Sequence, residues 1–177
     1  MMKRFKLFPL LLLLSLSACQ NTALNALPPA NLQAQSSPKT NQTRFLDTAQ
    51  RAYRLADMQA RRWDFGARLA KVEANWVEED GRSFEWNYYF TSLGKNKALK
   101  VSSNGFQEEV SDAFLSGMIF ESSWRIDSDK ALTAAKEKGL KHFPVHSMEL
   151  DSFLRWEIRS SDGWFTVDAR SGTVSVR

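Results

Sequence analysis

The chain has 177 residues, 43% of them apolar and 12% aromatic, with 24 Lys and Arg against 20 Asp and Glu. That is enough apolar material for a self-supporting core. Lys3, Arg4 and Lys6 carry most of the formal charge of +4; past residue 18 the balance is 21 basic against 20 acidic residues, or +1, which removes the charge argument for a nucleic-acid partner, since that needs a concentrated basic stripe and the only short basic cluster is Arg61 and Arg62. Cys19 is the sole cysteine, so no disulfide and no cysteine-based metal site can form.

Lys3, Arg4 and Lys6 precede an apolar run from Leu7 to Leu16 that only Pro9 and Ser15 interrupt, and Leu16, Ser17, Ala18 and Cys19 follow. A basic start, a short apolar stretch and small residues at its end read as a secretory signal peptide over 1–18. The run falls well short of the roughly 20 residues a membrane-spanning helix needs. The order Leu, Ser, Ala, Cys resembles the bacterial lipobox. That resemblance implies cleavage before Cys19 and acyl chains on it, palmitate among them, anchoring the exported protein in a membrane. Several chains on one residue hold lastingly where a single chain holds marginally. By the usual sorting pattern Gln20 after Cys19 favours the outer membrane, facing the periplasm, if the organism has two membranes. Residues 19–44 then form the lipidated cysteine and a tether. Gln20 to Thr43 carry Lys39 as the only charge and few large apolar groups, so ordering would cost more than burial returns. A flexible segment of about 25 residues reaches on the order of 25–30 Å.

Ala49, Ala52, Tyr53, Ala56 and Ala60 recur at helical spacing behind the capping candidates Asp47 and Thr48, which predicts a helix ending between Arg61 and Gly66. The period then changes to two. Ala70, Val72, Ala74 and Trp76 alternate with Lys71, Glu73 and Asn75, a half-buried strand with Trp76 on its core face. Asp80 and Gly81 supply a hairpin turn. The next strand places Phe84, Trp86, Tyr88 and Phe90 inward and Glu85, Asn87, Tyr89 and Thr91 outward. Leu93 to Lys97 read as a loop, Ala98 to Ser103 as a third strand, and Asn104 with Gly105 as another turn. Between Phe106 and Glu121 the pattern is ambiguous: Phe114, Leu115, Met118, Ile119 and Phe120 read as a short connecting helix or as a strand, and the segment as the junction between two halves.

A second helix starts at the capping residues Asp127, Ser128 and Asp129, with Ala131, Leu132 and Ala135 on one side and Gly139 at its stop. Phe143 to Leu150, Phe153 to Arg159, Trp164 to Ala169 and Thr173 to Arg177 then read as four strands. Phe84, Trp86 and Tyr88 match Leu154, Trp156 and Ile158 at an offset of 70 positions, and Asn104 with Gly105 matches Ser171 with Gly172 at 67. The expected fold class is therefore α+β: two tandem units, each a helix packed on an antiparallel meander, over 45–110 and 124–177, with a junction over 111–123.

Trp124, Arg125, Ile126, Asp127, Ser128 and Asp129, then Ala131 and Gly139, then Trp156, Glu157 and Ile158, and finally the run from Phe165 to Val174 resemble a PepSY or PepSY-like domain. That family typically closes with an aromatic, a short apolar step, Asp or Asn, Ala, and a Thr/Ser-Gly turn. The resemblance covers Trp124 to Arg177; Asp47 to Gly105 follows in outline, with Ser102 and Ser103 standing where Asp168 and Ala169 do. It implies an exported, non-catalytic module of the kind found in peptidase propeptides and lipoproteins and proposed to restrain peptidases. In topology alone, the tandem arrangement is also similar to the β-lactamase inhibitory protein and to small outer-membrane assembly lipoproteins.

Little in the sequence points to catalysis. His142 and His146 are the only histidines, and Pro144 between them marks a strand entry, where positions four apart lie about 13 Å from each other; no metal and no cofactor are expected. No Gly-x-Ser-x-Gly elbow and no phosphate-cradling glycine loop occurs. Helices that cover one face of a sheet leave the other open. Alternation puts Tyr89, Phe153, Arg155, Trp164 and Asp168 on that open face, and Tyr, Trp and Arg are the types that dominate binding hot spots. The favoured expectation is a face that binds a protein or peptide. The alternatives are glycan or peptidoglycan binding, with Trp164 and Tyr89 as stacking platforms, and a structural part in outer-membrane assembly.

Overall fold

The computed structural model describes residues 46–177. The signal peptide, Cys19 and the tether expected over 19–44 lie outside the described residues. Among those described, no helix is long and apolar enough to cross a membrane.

The first helix, α1 (Ala49–Trp63), is followed by β1 (Arg68–Val77), β2 (Asn87–Thr91), β3 (Ala98–Ser102) and β4 (Gln107–Val110). A 3-10 turn at Glu121–Ser123 leads to α2 (Ser128–Lys136), then β5 (Val145–Leu150), β6 (Arg155–Ser160), β7 (Gly163–Asp168) and β8 (Val174–Val176). The strands form one antiparallel sheet in the order β4-β3-β2-β1-β5-β6-β7-β8. Its centre is the pairing of β1 with β5, where Val72 faces Leu150 and Ala74 faces Met148. The fold is thus α+β, with two helices on an eight-stranded sheet.

Both helices bury small residues against the sheet. Ala49, Ala56 and Ala60 of α1 and Ala131 and Ala135 of α2 are fully buried, so the helices approach closely enough for large sheet residues to fill the space between. Trp86, Trp156, Tyr88, Phe90 and Phe165 do so. Three indoles form a chain in the middle: Trp86 and Trp124 each meet Trp156 edge-on, at 6.0 and 5.9 Å between ring centres. Their N–H groups donate to backbone carbonyls, Trp86 to Asp47 at 2.8 Å, Trp124 to Ile126 at 3.0 Å and Trp156 to Ile126 at 2.8 Å. A buried indole whose donor is satisfied contributes its full apolar area without a desolvation penalty.

Asp127 and Ser128 join the two halves. Asp127 caps its own helix by accepting from Ser128 N at 2.7 Å, and the same oxygen accepts from Gln50 N of α1 at 2.9 Å. Ala49 N donates to Ser128 Oγ at 3.1 Å, and that hydroxyl donates to the Gly81 carbonyl at 2.6 Å. Two helix N-termini therefore share one carboxylate, which satisfies orphan N–H groups and sits at the positive ends of both helix dipoles. Gly81 is required there: its φ is +77°, and a Cβ would lie 2.3 Å from the Asp129 backbone.

Three expectations need correcting. Trp76 is not in the core: its φ of 55° reverses the alternation, so Val77 is buried and Trp76 is 61% exposed. Phe84 precedes the start of β2 and is half exposed, although Trp86, Tyr88 and Phe90 after it are buried as expected. Within the segment from Phe106 to Glu121, Gln107–Val110 is a fourth strand paired to β3, and the rest is irregular down to the 3-10 turn. A bulge between Leu69 and Lys71 also buries both Leu69 and Ala70 at the start of β1.

Candidate binding face

Most buried sheet residues belong to one alternation set, although Ala70, Ala98 and Ser102 are buried too, and the other set makes a face free of helix among the described residues. Register fixes its layout. Glu73 on β1 faces Glu149 on β5, Glu149 faces Glu157 on β6, and Glu157 faces Thr166 on β7. Like charges directly opposite repel, and Lys71 relieves part of this, its ammonium 2.7 Å from Glu73 and 3.2 Å from Glu149. Partial burial works against ionisation of Glu73, but Lys71 and the Tyr89 hydroxyl outweigh it and hold its carboxyl below the usual range. Glu157 accepts from the Thr166 hydroxyl, at 3.1 and 3.2 Å to its two oxygens.

The expected site residues fall on this face but do not form one patch. Tyr89 is half-buried and already engaged: its hydroxyl donates to Glu73 at 2.5 Å, and the Lys71 ammonium lies 5.3 Å from its ring centre. Burial first, then the Glu73 carboxylate, push its phenol far above the ordinary value. Tyr89 therefore carries an internal cation, as Trp164 and Phe153 do. Phe153, 63% exposed, stands in the turn before β6 with the Arg155 guanidinium 5.0 Å from its ring. Arg155 itself is forked onto Asp151 at 2.7 and 3.0 Å. Trp164, 46% exposed, faces Arg159 across β6 and β7, and that guanidinium lies 4.5 Å from its ring. Asp168 organises the last turn, accepting from Arg170 N at 2.9 Å and Ser171 N at 2.8 Å. The backbone N–H of Ser171, foremost, keeps its carboxyl below the ordinary range.

Phe114 approaches the same face from the irregular segment. It shares with Lys71, Glu149 and Phe153 a cleft of about 190 Å³, held by a hydrogen bond from the Ser152 hydroxyl to the Ser116 carbonyl. On the far side of the sheet centre, Asn75, Trp76, Ser83, Phe84, Glu85 and Asn87 line a second cleft of about 330 Å³.

Sequence reasoning missed three residues here. Arg159 is legible in hindsight as an outward position on β6. Trp76 and Phe84 carried the opposite signal, since simple alternation places both inside. The two histidines do not converge: His142 Nδ1 lies 2.5 Å from Asp162 Oδ1, whereas the His146 ring meets Trp76 edge-on at 5.7 Å. Among the described residues no cluster of three His, Cys, Asp or Glu side chains could hold a metal ion.

In comparisons with family models, with curated proteins and with solved structures, nothing matches the chain.

Proposed function

We propose that the protein is a lipoprotein anchored through Cys19, built of two tandem PepSY-like units, whose open sheet face binds a protein or peptide in the cell envelope without catalysis, in the manner of a peptidase restraint. The observation that carries the binding reading is a helix-free sheet face presenting two solvent-exposed aromatics, Trp164 and Phe153, each backed by an arginine. Aromatic and arginine side chains offer large contact area at low ordering cost. The tandem reading is supported by the order helix, four strands, helix, four strands, and by the contact of the offset-related Trp86 and Trp156. Lipid attachment rests on the lipobox, and the outer membrane on Gln20.

Crosslinking of the intact protein in its own envelope tests the binding reading. Trp164→Ala and Phe153→Ala should each lose the crosslinked partner while thermal unfolding stays unchanged; retention of the partner by the double variant overturns it. Metabolic labelling with palmitate, lost in Cys19→Ser, tests the anchor.

A further inference from the structure

Three of the six tryptophans lie outside the core, and the chain covers two of them with its own cations. Lys95 Nζ lies 4.6 Å from the Trp63 ring centre and the Arg159 guanidinium 4.5 Å from that of Trp164. Trp76 has no such partner among the described residues, although it is the most exposed of the three at 61%. It is also held at a φ of 55°, a conformation a bulky aromatic adopts at a cost and one that tends to mark functional positions. The consequence of that conformation is that the indole joins Phe84 in walling the 330 Å³ cleft.

The polar lining of that cleft has a definite sign. Glu85 contributes a carboxylate whose hydrogen bond from Asn104, at 3.4 Å, is long. Among the described residues the buried amide oxygen of Asn87 finds no hydrogen-bond donor. No Lys or Arg among the described residues lines the cleft, and Arg82, its nearest neighbour in sequence, is turned onto Asp80. Asn87 faces Glu73 across β2 and β1, so the cleft opens onto the row Glu73, Glu149 and Glu157, where Lys71 binds Glu73 and Glu149, and Lys100 and Arg155 lie close enough to act on Glu73 and Glu157 in turn. Aromatic walls, a carboxylate held only by one long hydrogen bond and an unfilled acceptor together suit a planar cation that stacks and donates several hydrogen bonds at once.

We propose that this cleft takes the arginine side chain of an extended cationic peptide, whose other basic residues lie along the acidic row. The inference rests on reading the open face as a peptide-binding surface and names the chemistry of its partner. The same chain already stacks arginine on Trp164 and on Phe153, and the cleft offers an incoming arginine the equivalent seat.

The six indole N–H signals of the ¹⁵N-labelled full chain, assigned through Trp→Phe variants, report on the cleft and on Trp164 separately. On titration with acetyl-Ala-Arg-Ala-Arg-Ala-amide the Trp76 signal should move and saturate. Glu85→Gln and Phe84→Ala should each weaken binding about five- to tenfold, and a roughly tenfold rise in salt should weaken it further. The same peptide with norleucine for arginine should leave Trp76 still. Three results overturn the proposal: a Trp76 signal unmoved at about 10 mM peptide, equal movement with the norleucine peptide, or movement with chitotetraose and not with the arginine peptide, which makes the cleft a saccharide site. If Trp164 moves while Trp76 stays still, the cleft assignment falls and the open-face reading stands.

Discussion

Trp156 and Trp164 stand on neighbouring strands and on opposite faces of one sheet, and they are held by different means. Trp156 is fully buried, meets Trp86 and Trp124 edge-on and donates to the Ile126 carbonyl at 2.8 Å. Trp164 is 46% exposed, with the Arg159 guanidinium against its ring. On the helix side, close contact and complete hydrogen-bond satisfaction fix each ring, so a deletion leaves a void. On the open side the rings lean on mobile charged side chains, and exposed pairs of that kind contribute little to stability. The inner face is where this protein can be unfolded, and the outer face is where its recognition can be changed without unfolding it.

The sharpest way to break this contrast is to delete an inner ring. Trp156→Ala should cost about 3–5 kcal/mol, read as a large drop in the urea midpoint; a drop no larger than that of an exposed substitution removes the distinction between the faces. Asp127→Ala comes next. Because one carboxylate serves both helix N-termini, the loss should be about 2 kcal/mol, twice that of an ordinary cap, and Asp127→Asn, which keeps the acceptor, should recover most of it. A single-cap cost for the alanine variant would show that α1 does not depend on Asp127.

A smaller effect is expected at Asp162. Backbone N–H groups of Lys141 and His142, each 2.7 Å away, lower its folded pKa to about 2, below the unfolded value near 4. Its contribution is therefore present above about pH 4 and is lost as pH falls towards 2. The difference in urea midpoint between the wild-type protein and Asp162→Asn should be full at about pH 5 and close by about pH 2; a difference that stays constant over that window contradicts the ionic origin. Smallest of all, Trp164→Ala, Phe153→Ala and Trp76→Asn should shift stability by no more than about 0.5 kcal/mol, Asn being a residue that tolerates the backbone Trp76 adopts. Loss of more than that from any of them would place the residue in the core after all.

Much of the scaffold was legible because local pattern and tertiary demand agree in it. The alanine stripe of α1 and the alternation Trp86, Tyr88, Phe90 each bury the residues the pattern selects. Where they disagree the reading failed for identifiable reasons. β4 is an edge strand whose Gln107, Glu108 and Glu109 are all exposed, so it carries no apolar period to detect. Trp76 obeys the pattern in sequence and escapes it because the left-handed residue is the tryptophan itself, a type that rarely adopts that conformation. Tyr89 is outward as alternation requires, yet its occupation by Lys71 and Glu73 depends on register between strands. Asp127 announces one helix cap in sequence; its second duty, 77 residues away at Gln50, is invisible there.

Strand order carries a consequence for biogenesis. β1 lies at the middle of the sheet and finds its second neighbour only in β5, so a nascent chain that has completed β4 presents the stretch from Val72 to Val77 with one flank of amide and carbonyl groups unmatched. Such a flank is sticky towards its own kind. A fragment ending at Ser123 should self-associate through β1, and adding the remainder in trans should dissolve the aggregate by filling the vacancy with β5.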